Sequence, residues 1–309
     1  MFDLQSRRRR TLRIGLAALR SGRRAFGPAS APKDQDRSRS AGRRSGAPRA
    51  GLQAIGHDWS HFRDVVLILV RRNFVSRYRN TAIGMAWALA TPLLFLLVFY
   101  FVFKVIINIS IDKYASFVYI GILAWTWLQA AVTDGTAAIT SNPNLVSQPG
   151  FPVAALPIVS VTANLFSLAV AFPVLLALLI VEGARPGFAI LWLPAIVVVQ
   201  YALTLGLCFF AAALNVAARD MQHIVPILLQ IGYYLTPIFY SGDKVPGHYR
   251  AILRINPMYG LLESYRAVLI DGRIPDLAGL AATLAFSLVL LVTAASYFRK
   301  ASYRFLEDL

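Results

Sequence analysis

From residue 81 to residue 103 the chain carries no charged side chain, and just before that run Trp59, Phe62, Val66, Val70, Phe74 and Tyr78 recur at spacings of three or four. The first pattern predicts a membrane-spanning helix, because about 20 apolar residues cross the roughly 30 Å hydrocarbon layer. The second predicts an amphipathic helix over residues 58–80, with Arg63, Arg71, Arg72, Arg77 and Arg79 supplying its charge. A basic amphipathic helix lies on an anionic membrane surface. Its arginines sit within a turn or two of the span, so the positive-inside bias puts them in the cytoplasm.

Carried down the chain, the same pattern predicts an all-α integral membrane fold. Six transmembrane helices are expected at about 81–104, 115–133, 157–181, 188–214, 223–240 and 277–298. Between the second and third, Pro143, Pro149, Pro152 and Pro157 interrupt an uncharged stretch that also holds the polar cluster SNPNLVSQPG. Prolines cannot continue a helix, so residues 138–156 form a loop, cytoplasmic by alternation. Arg219 and Asp220 end the fourth span on the same side. The segment 259–270 carries Glu263 and Arg266 and is too short and too charged to cross, which predicts re-entrant or interfacial helices over 245–272 on the outer side. Arg299, Lys300 and Arg304 hold the C-terminus inside. Both termini of a multi-pass protein of the cytoplasmic (inner) membrane are then cytoplasmic.

Composition agrees: 57% of the 309 residues are hydrophobic and 15% charged, far from a soluble domain. The net charge of +16 is concentrated in residues 1–80, which hold 19 Lys or Arg against 5 Asp or Glu. Such a tail beside a span faces membrane or sets topology, and nucleic acid is set aside as a partner. Residues 1–57, rich in Arg, Ser, Gly, Ala and Pro, bury too little apolar surface to fold and are expected to be disordered. They lack the apolar stretch of a secretory signal. The lone Cys208 lies in an apolar run, and His57, His61, His223 and His248 are scattered, so neither a disulfide framework nor a metal site is expected. No GxSxG, HExxH or GxxxxGK[ST] occurs, which argues against an enzyme; if ATP and Mg drive this protein, another chain must bind them. Lys104, Asp134, Glu182 and Glu263 fall near predicted span ends, where interfacial roles are expected rather than ion coupling.

Three stretches resemble one family. LVRRNFVSRYRNTAIGMAWALATPLLFLLVFYFVF is similar to its RR-x-RYR approach to the first span. NPNLVSQPGFPVAALP is similar to its cytoplasmic NL…FP…LP element. ARDMQHIVPILLQIGYYLTPIFYSGDKVPGHYRAILRINPMYGLLESYRAVLIDG follows its RD, (S/T)PI, P and NP…R series in order. The family is the membrane subunits of ABC-2 type exporters, specifically permeases for O-antigen, capsule or teichoic-acid polysaccharides, and the likeness covers residues 59–308. It implies a homodimer with the pathway between subunits, two ATP-binding-cassette ATPase subunits on the cytoplasmic side, and a lipid-linked polysaccharide as cargo. Asn144, Leu145, Gln148, Phe151 and Pro152 would couple to the ATPase. Relatives carry basic residues after the NL pair; here Ser147 and Gln148 are neutral, which shifts docking at this loop onto shape and Phe151.

The resemblance makes 58–80 an interface helix. Arg71, Arg72, Arg77 and Arg79, with Tyr78 of the same motif, would touch the ATPase, membrane lipid or the pyrophosphate of the cargo, since guanidinium pairs bidentately with phosphate. Aromatic rings stack on sugars, so Trp87, Phe95, Phe99, Trp125, Trp127, Tyr233, Tyr234 and Tyr240 are candidate pathway residues, against packing for each. Asn256, Pro257, Glu263 and Arg266 would form the outer gate, with a local Glu263–Arg266 pair as the alternative. Export of a small drug or lipid, or a non-transporting scaffold for glycan assembly, are the competing functions.

Overall fold

The computed structural model describes residues 51–79 and 86–302, and every element in them is helical. Of the tail expected to be disordered over 1–57, residues 51–57 are instead helical, and residues 1–50 lie outside the described residues, as do residues 80–85, residues 303–309 and the side chains of Arg77, Tyr78, Arg79 and Trp87. Helix α1 (Gly51–Arg79) starts earlier than the expected residue 58, because the stretch LQAI carries helix formers and no proline. Helix α2 (Ala86–Phe99) continues into a wider π-helical turn, Tyr100–Ile106, and the apolar window of this pair is Leu89–Ile106 rather than 81–104.

Helix α3 (Tyr114–Ala137) passes beyond the expected end at 133. Asp134 does not stop it, since Asn164 Nδ2 donates to its carboxylate at 2.9 Å. The short α4 (Pro143–Val146) lies in the loop predicted over 138–156, and the long α5 (Ala155–Val181) and α6 (Leu193–Ala217) follow. Helix α7 (Met221–Leu235) leads to α8 (Gly247–Ile255), α9 (Pro257–Leu269) and finally α10 (Leu277–Ser302).

Among the described residues, five helical segments are long and apolar enough to cross a membrane: Leu89–Ile106, α3, α5, Gly187–Ala217 and α10. The fifth predicted span is not among them. Helix α7 has 15 residues, about 22 Å at about 1.5 Å per residue, short of the roughly 30 Å layer. It stops at Leu235 because Thr236 precedes Pro237 and is extended (φ −85, ψ 136), the conformation that a following proline ring enforces.

Helix α3 is the centre. In its apolar window 78% of residues are buried, against 22% in α5 and α10, which therefore form the periphery. Bilayer hydrocarbon is as apolar as these side chains, so close packing rather than water exclusion holds such helices together. A Cβ at Gly121 would lie 2.8 Å from Ile238 Cγ2, and one at Gly135 2.8 Å from Cys208 Sγ; glycine lets both neighbours approach. Helix α7 runs antiparallel along α3. Gln129 Nε2 donates to Gln230 Oε1 at 3.3 Å, Trp125 and Tyr233 rings lie 6.1 Å apart, and Tyr114 donates its hydroxyl to Phe239 O at 3.1 Å. At the N-terminal end of α3, both Glu182 oxygens accept backbone N–H groups, from Ala115 at 3.1 Å and Ser116 at 2.9 Å. A carboxylate there satisfies orphan donors and complements the helix dipole.

Candidate functional site

The aromatic residues collect on the α2, α3 and α7 side. Phe95, Phe99 and Phe103 recur every four residues and so fall on one face of α2 and its π turn. Phe99 stacks on Phe239 with centroids 3.9 Å apart, Phe103 stacks on Phe239 at 5.7 Å, and Tyr233 meets Phe239 edge-on at 5.2 Å. Trp125 and Tyr234 join through Tyr233 at 6.1 and 5.5 Å. Five of the predicted aromatics thus belong to one continuous cluster whose centre is Phe99 and Phe239. Its rim is open: Phe95 is 44% exposed and Tyr234 59%. Trp127 is separate, 2% exposed, with its indole N–H donated to Val161 O at 3.3 Å. Tyr240, half-buried, donates its hydroxyl to Leu235 O. Sequence reasoning missed Phe103 and Phe239; the four-residue repeat was a signal for the first.

At the C-terminal end of α3 the amphipathic helix and the predicted coupling loop share one apolar cluster. Leu69 and Val70 of α1 pack with Ile139, Val146, Leu156 and Val159, and Leu145 and Phe151 lie against it. Asn144 and Gln148 point outward, exposed, and Pro152 is half-buried. Phe151 therefore spends part of its surface inside the chain, leaving the loop less apolar area to offer than the sequence suggested. Arg71 and Arg72 are exposed. Arg72, with Asn73, Ser76, Thr133, Asp134, Ser141 and Ser160, lines a polar cavity of about 610 Å³ between α1, α3 and α5. Arg219 and Asp220 are exposed between α6 and α7.

The 245–272 region forms the α8–α9 helix pair. Asn256 closes both ends of a bridge: its Oδ1 accepts the Met258 N–H at 3.0 Å, capping α9, and its Nδ2 donates to Thr236 Oγ1 at 2.8 Å. Pro257 fills the first helical turn, where its missing N–H costs nothing. Arg266 is buried. It donates to Glu263 Oε1 at 3.1 Å and, through Nη2, to Pro237 O at 2.9 Å and Ile238 O at 3.1 Å, while its Cζ lies 3.5 Å from the Phe117 ring centroid. The local pair weighed against a gate role is thus present. Burial lowers this guanidinium's pKa to about 10, with Glu263 opposing the shift, and it stays charged at cellular pH. Among the described residues no group of three His, Cys, Asp or Glu is placed to hold a metal.

Residues 64–270 match the sequence profile described as ABC-2 type transporter. The O-antigen export system permease protein RfbA of Myxococcus xanthus is 33% identical over 250 residues, covering 80% of this chain and 96% of that protein. The protein of the same name from Klebsiella pneumoniae is 27% identical over 247 residues, 80% of this chain and 95% of that protein. The polysialic acid transport protein KpsM of Escherichia coli is 24% identical over 236 residues, 75% of this chain and 91% of its own length.

Proposed function

Since this chain belongs to the ABC-2 type transporter family, we propose that it is the membrane-spanning permease subunit of an ATP-driven exporter that moves a lipid-linked polysaccharide, of the O-antigen or capsule class, across the cytoplasmic membrane. The observation that carries this is the 33% identity spread over 250 residues and 96% of an O-antigen permease. The aromatic cluster agrees with it. Rings with an open rim present faces that stack on sugars yet bind no single residue tightly enough to stall a polymer.

We also infer how the chain sits in the membrane. Helix α1 lies along the cytoplasmic face of the membrane, with exposed Leu67 and Ile68 in lipid and Arg71 and Arg72 at phosphates. The α4 loop couples to two separate ATPase subunits that bind ATP and Mg. Helix α7, with its non-helical tail 236–239, makes a sixth crossing that puts both termini in the cytoplasm. In support, α7 begins near the C-terminal end of α3, where Asn215 of α6 accepts the Gln222 N–H at 3.0 Å and donates to Thr140 Oγ1 at 3.2 Å, and its tail reaches Tyr114 at the other end. Ile224, Ile227, Leu228, Ile231 and Leu235 form an exposed apolar stripe on α7, which suits a homodimer contact beside the pathway. Asn256, Pro257, Glu263 and Arg266 hold the α8–α9 pair at the outer mouth.

Deleting the gene tests the function. Cells are expected to accumulate lipid-linked polymer in the cytoplasm and lose it from the surface, and a plasmid copy restores it. Unchanged surface polymer would remove the proposed role.

A further inference from the structure

We propose that Arg219, in the short loop between α6 and α7, is a docking residue that takes a carboxylate of the ATPase subunit and supplies the positive charge missing from the coupling loop at Ser147 and Gln148. The proposal rests on the exporter reading above, which provides the ATPase.

Arg219 is exposed and in no ion pair among the described residues. It stands at a polar well of about 330 Å³ that is built jointly by two loops. One wall is Ala137, Thr140, Ser141 and Pro143, the end of α3 and the first residue of α4; the other is Asn215, Arg219 and Gln222. The well is therefore continuous with the coupling loop. It is also held in place: buried Asn215 donates from Nδ2 to Thr140 Oγ1 at 3.2 Å and accepts the Gln222 N–H on Oδ1 at 3.0 Å, fastening the two loops across the well's floor.

Charge decides the occupant. The polar lining groups are hydroxyls, amides and one guanidinium, with no carboxylate among them; Asp220 follows Arg219 in sequence but does not line the well. The Thr140 and Ser141 hydroxyls already donate to Ala137 O, so the guanidinium is the charged donor that an incoming carboxylate would meet, and it can receive one bidentately. The coupling loop itself offers no cation, and Phe151 is partly spent on the apolar cluster beneath it. Arg219 is the cation among the residues that line this well.

The test is retention of the ATPase by the full-length permease, co-expressed and purified in detergent, across a range of salt. Wild type is expected to hold its ATPase at low salt. Arg219→Glu should bind it about three- to tenfold more weakly there and converge with wild type at about 1 M salt, where screening falls to about 3 Å. Arg219→Gln should fall between. Adding Ser147→Lys and Gln148→Lys to Arg219→Glu should recover binding, because the charge returns at a neighbouring site. Equal yields from membranes and equal gel-filtration profiles establish that the variants fold. The inference is overturned if Arg219→Glu binds like wild type at every salt, or if its loss is independent of salt and not rescued by the lysines. A wild type that never retains the ATPase takes down the exporter reading along with it.

Discussion

Asn256 donates its side-chain amide to Thr236 Oγ1 at 2.8 Å, joining the end of α7 to the start of α9 across 20 residues of sequence. The same side chain caps α9, so one residue fixes both the entry angle of α9 and the non-helical tail that follows α7. Asn256→Ala should lower stability by about 1–2 kcal/mol, the sum of a lost cap and a lost bond to Thr236, whose hydroxyl still donates to Gly232 O. Thr236→Ala should cost about 1 kcal/mol, and the double variant less than the sum of the two. Thermal unfolding in detergent reads this; strict additivity would mean the bond contributes nothing.

Arg266 and Glu263 share an ion pair but not equal weight. The arginine side chain is 5% exposed and also satisfies two carbonyls and a ring face, whereas Glu263 is 49% exposed and screened. Arg266→Met should destabilise by about 2–4 kcal/mol, Glu263→Gln by less than about 1 kcal/mol. Arg266→Lys should fail to rescue, since an ammonium lacks the fork that reaches Glu263 through Nη1 and the two carbonyls through Nη2. Similar losses for the two residues in a melting experiment would contradict the placement.

Glu182 caps α3, and its role here is structural. Glu182→Gln keeps one acceptor oxygen and should cost about 0.5–1 kcal/mol. Export by this variant should keep the wild-type dependence on external pH. A shifted or abolished pH dependence would instead mark Glu182 as part of a proton path.

Phe95 and Tyr234 form the open rim of the aromatic cluster, so shortening them should act on cargo rather than on folding. Phe95→Ala and Tyr234→Ala should each lower export about two- to tenfold, the equivalent of one stacking contact of about 0.5–1.5 kcal/mol. Their melting temperatures should stay near wild type. Trp127→Phe should do the reverse, lowering stability through the lost bond to Val161 O while sparing export.

Much of the architecture was legible because membrane spans declare themselves as long uncharged runs. The α3, α5, α6 and α10 positions, the α4 loop and the α8–α9 pair all follow from runs and prolines. What stayed hidden was set by contacts between distant residues. Asp134 ends an apolar run in sequence, yet Asn164 from α5 lets the helix continue past it. Glu182 looks like an interfacial carboxylate until α3 is seen to start beneath it. Phe239 lies in a Pro-Ile-Phe stretch with no helical spacing to flag it, and only the return of α7 along α3 brings it onto Phe99. The well at Arg219 needs two loops that are far apart along the chain to meet.

Reconstitution tests the account most directly. With permease and ATPase together in liposomes that carry a lipid-linked glycan on the outer leaflet, glycan should become protected from an added glycosidase. Protection should require ATP and both proteins and should be lost with an ATPase that cannot hydrolyse. Protection that proceeds equally without the ATPase, or none when both chains and ATP are present, would contradict the assignment of this chain as the permease of an ATP-driven glycan exporter.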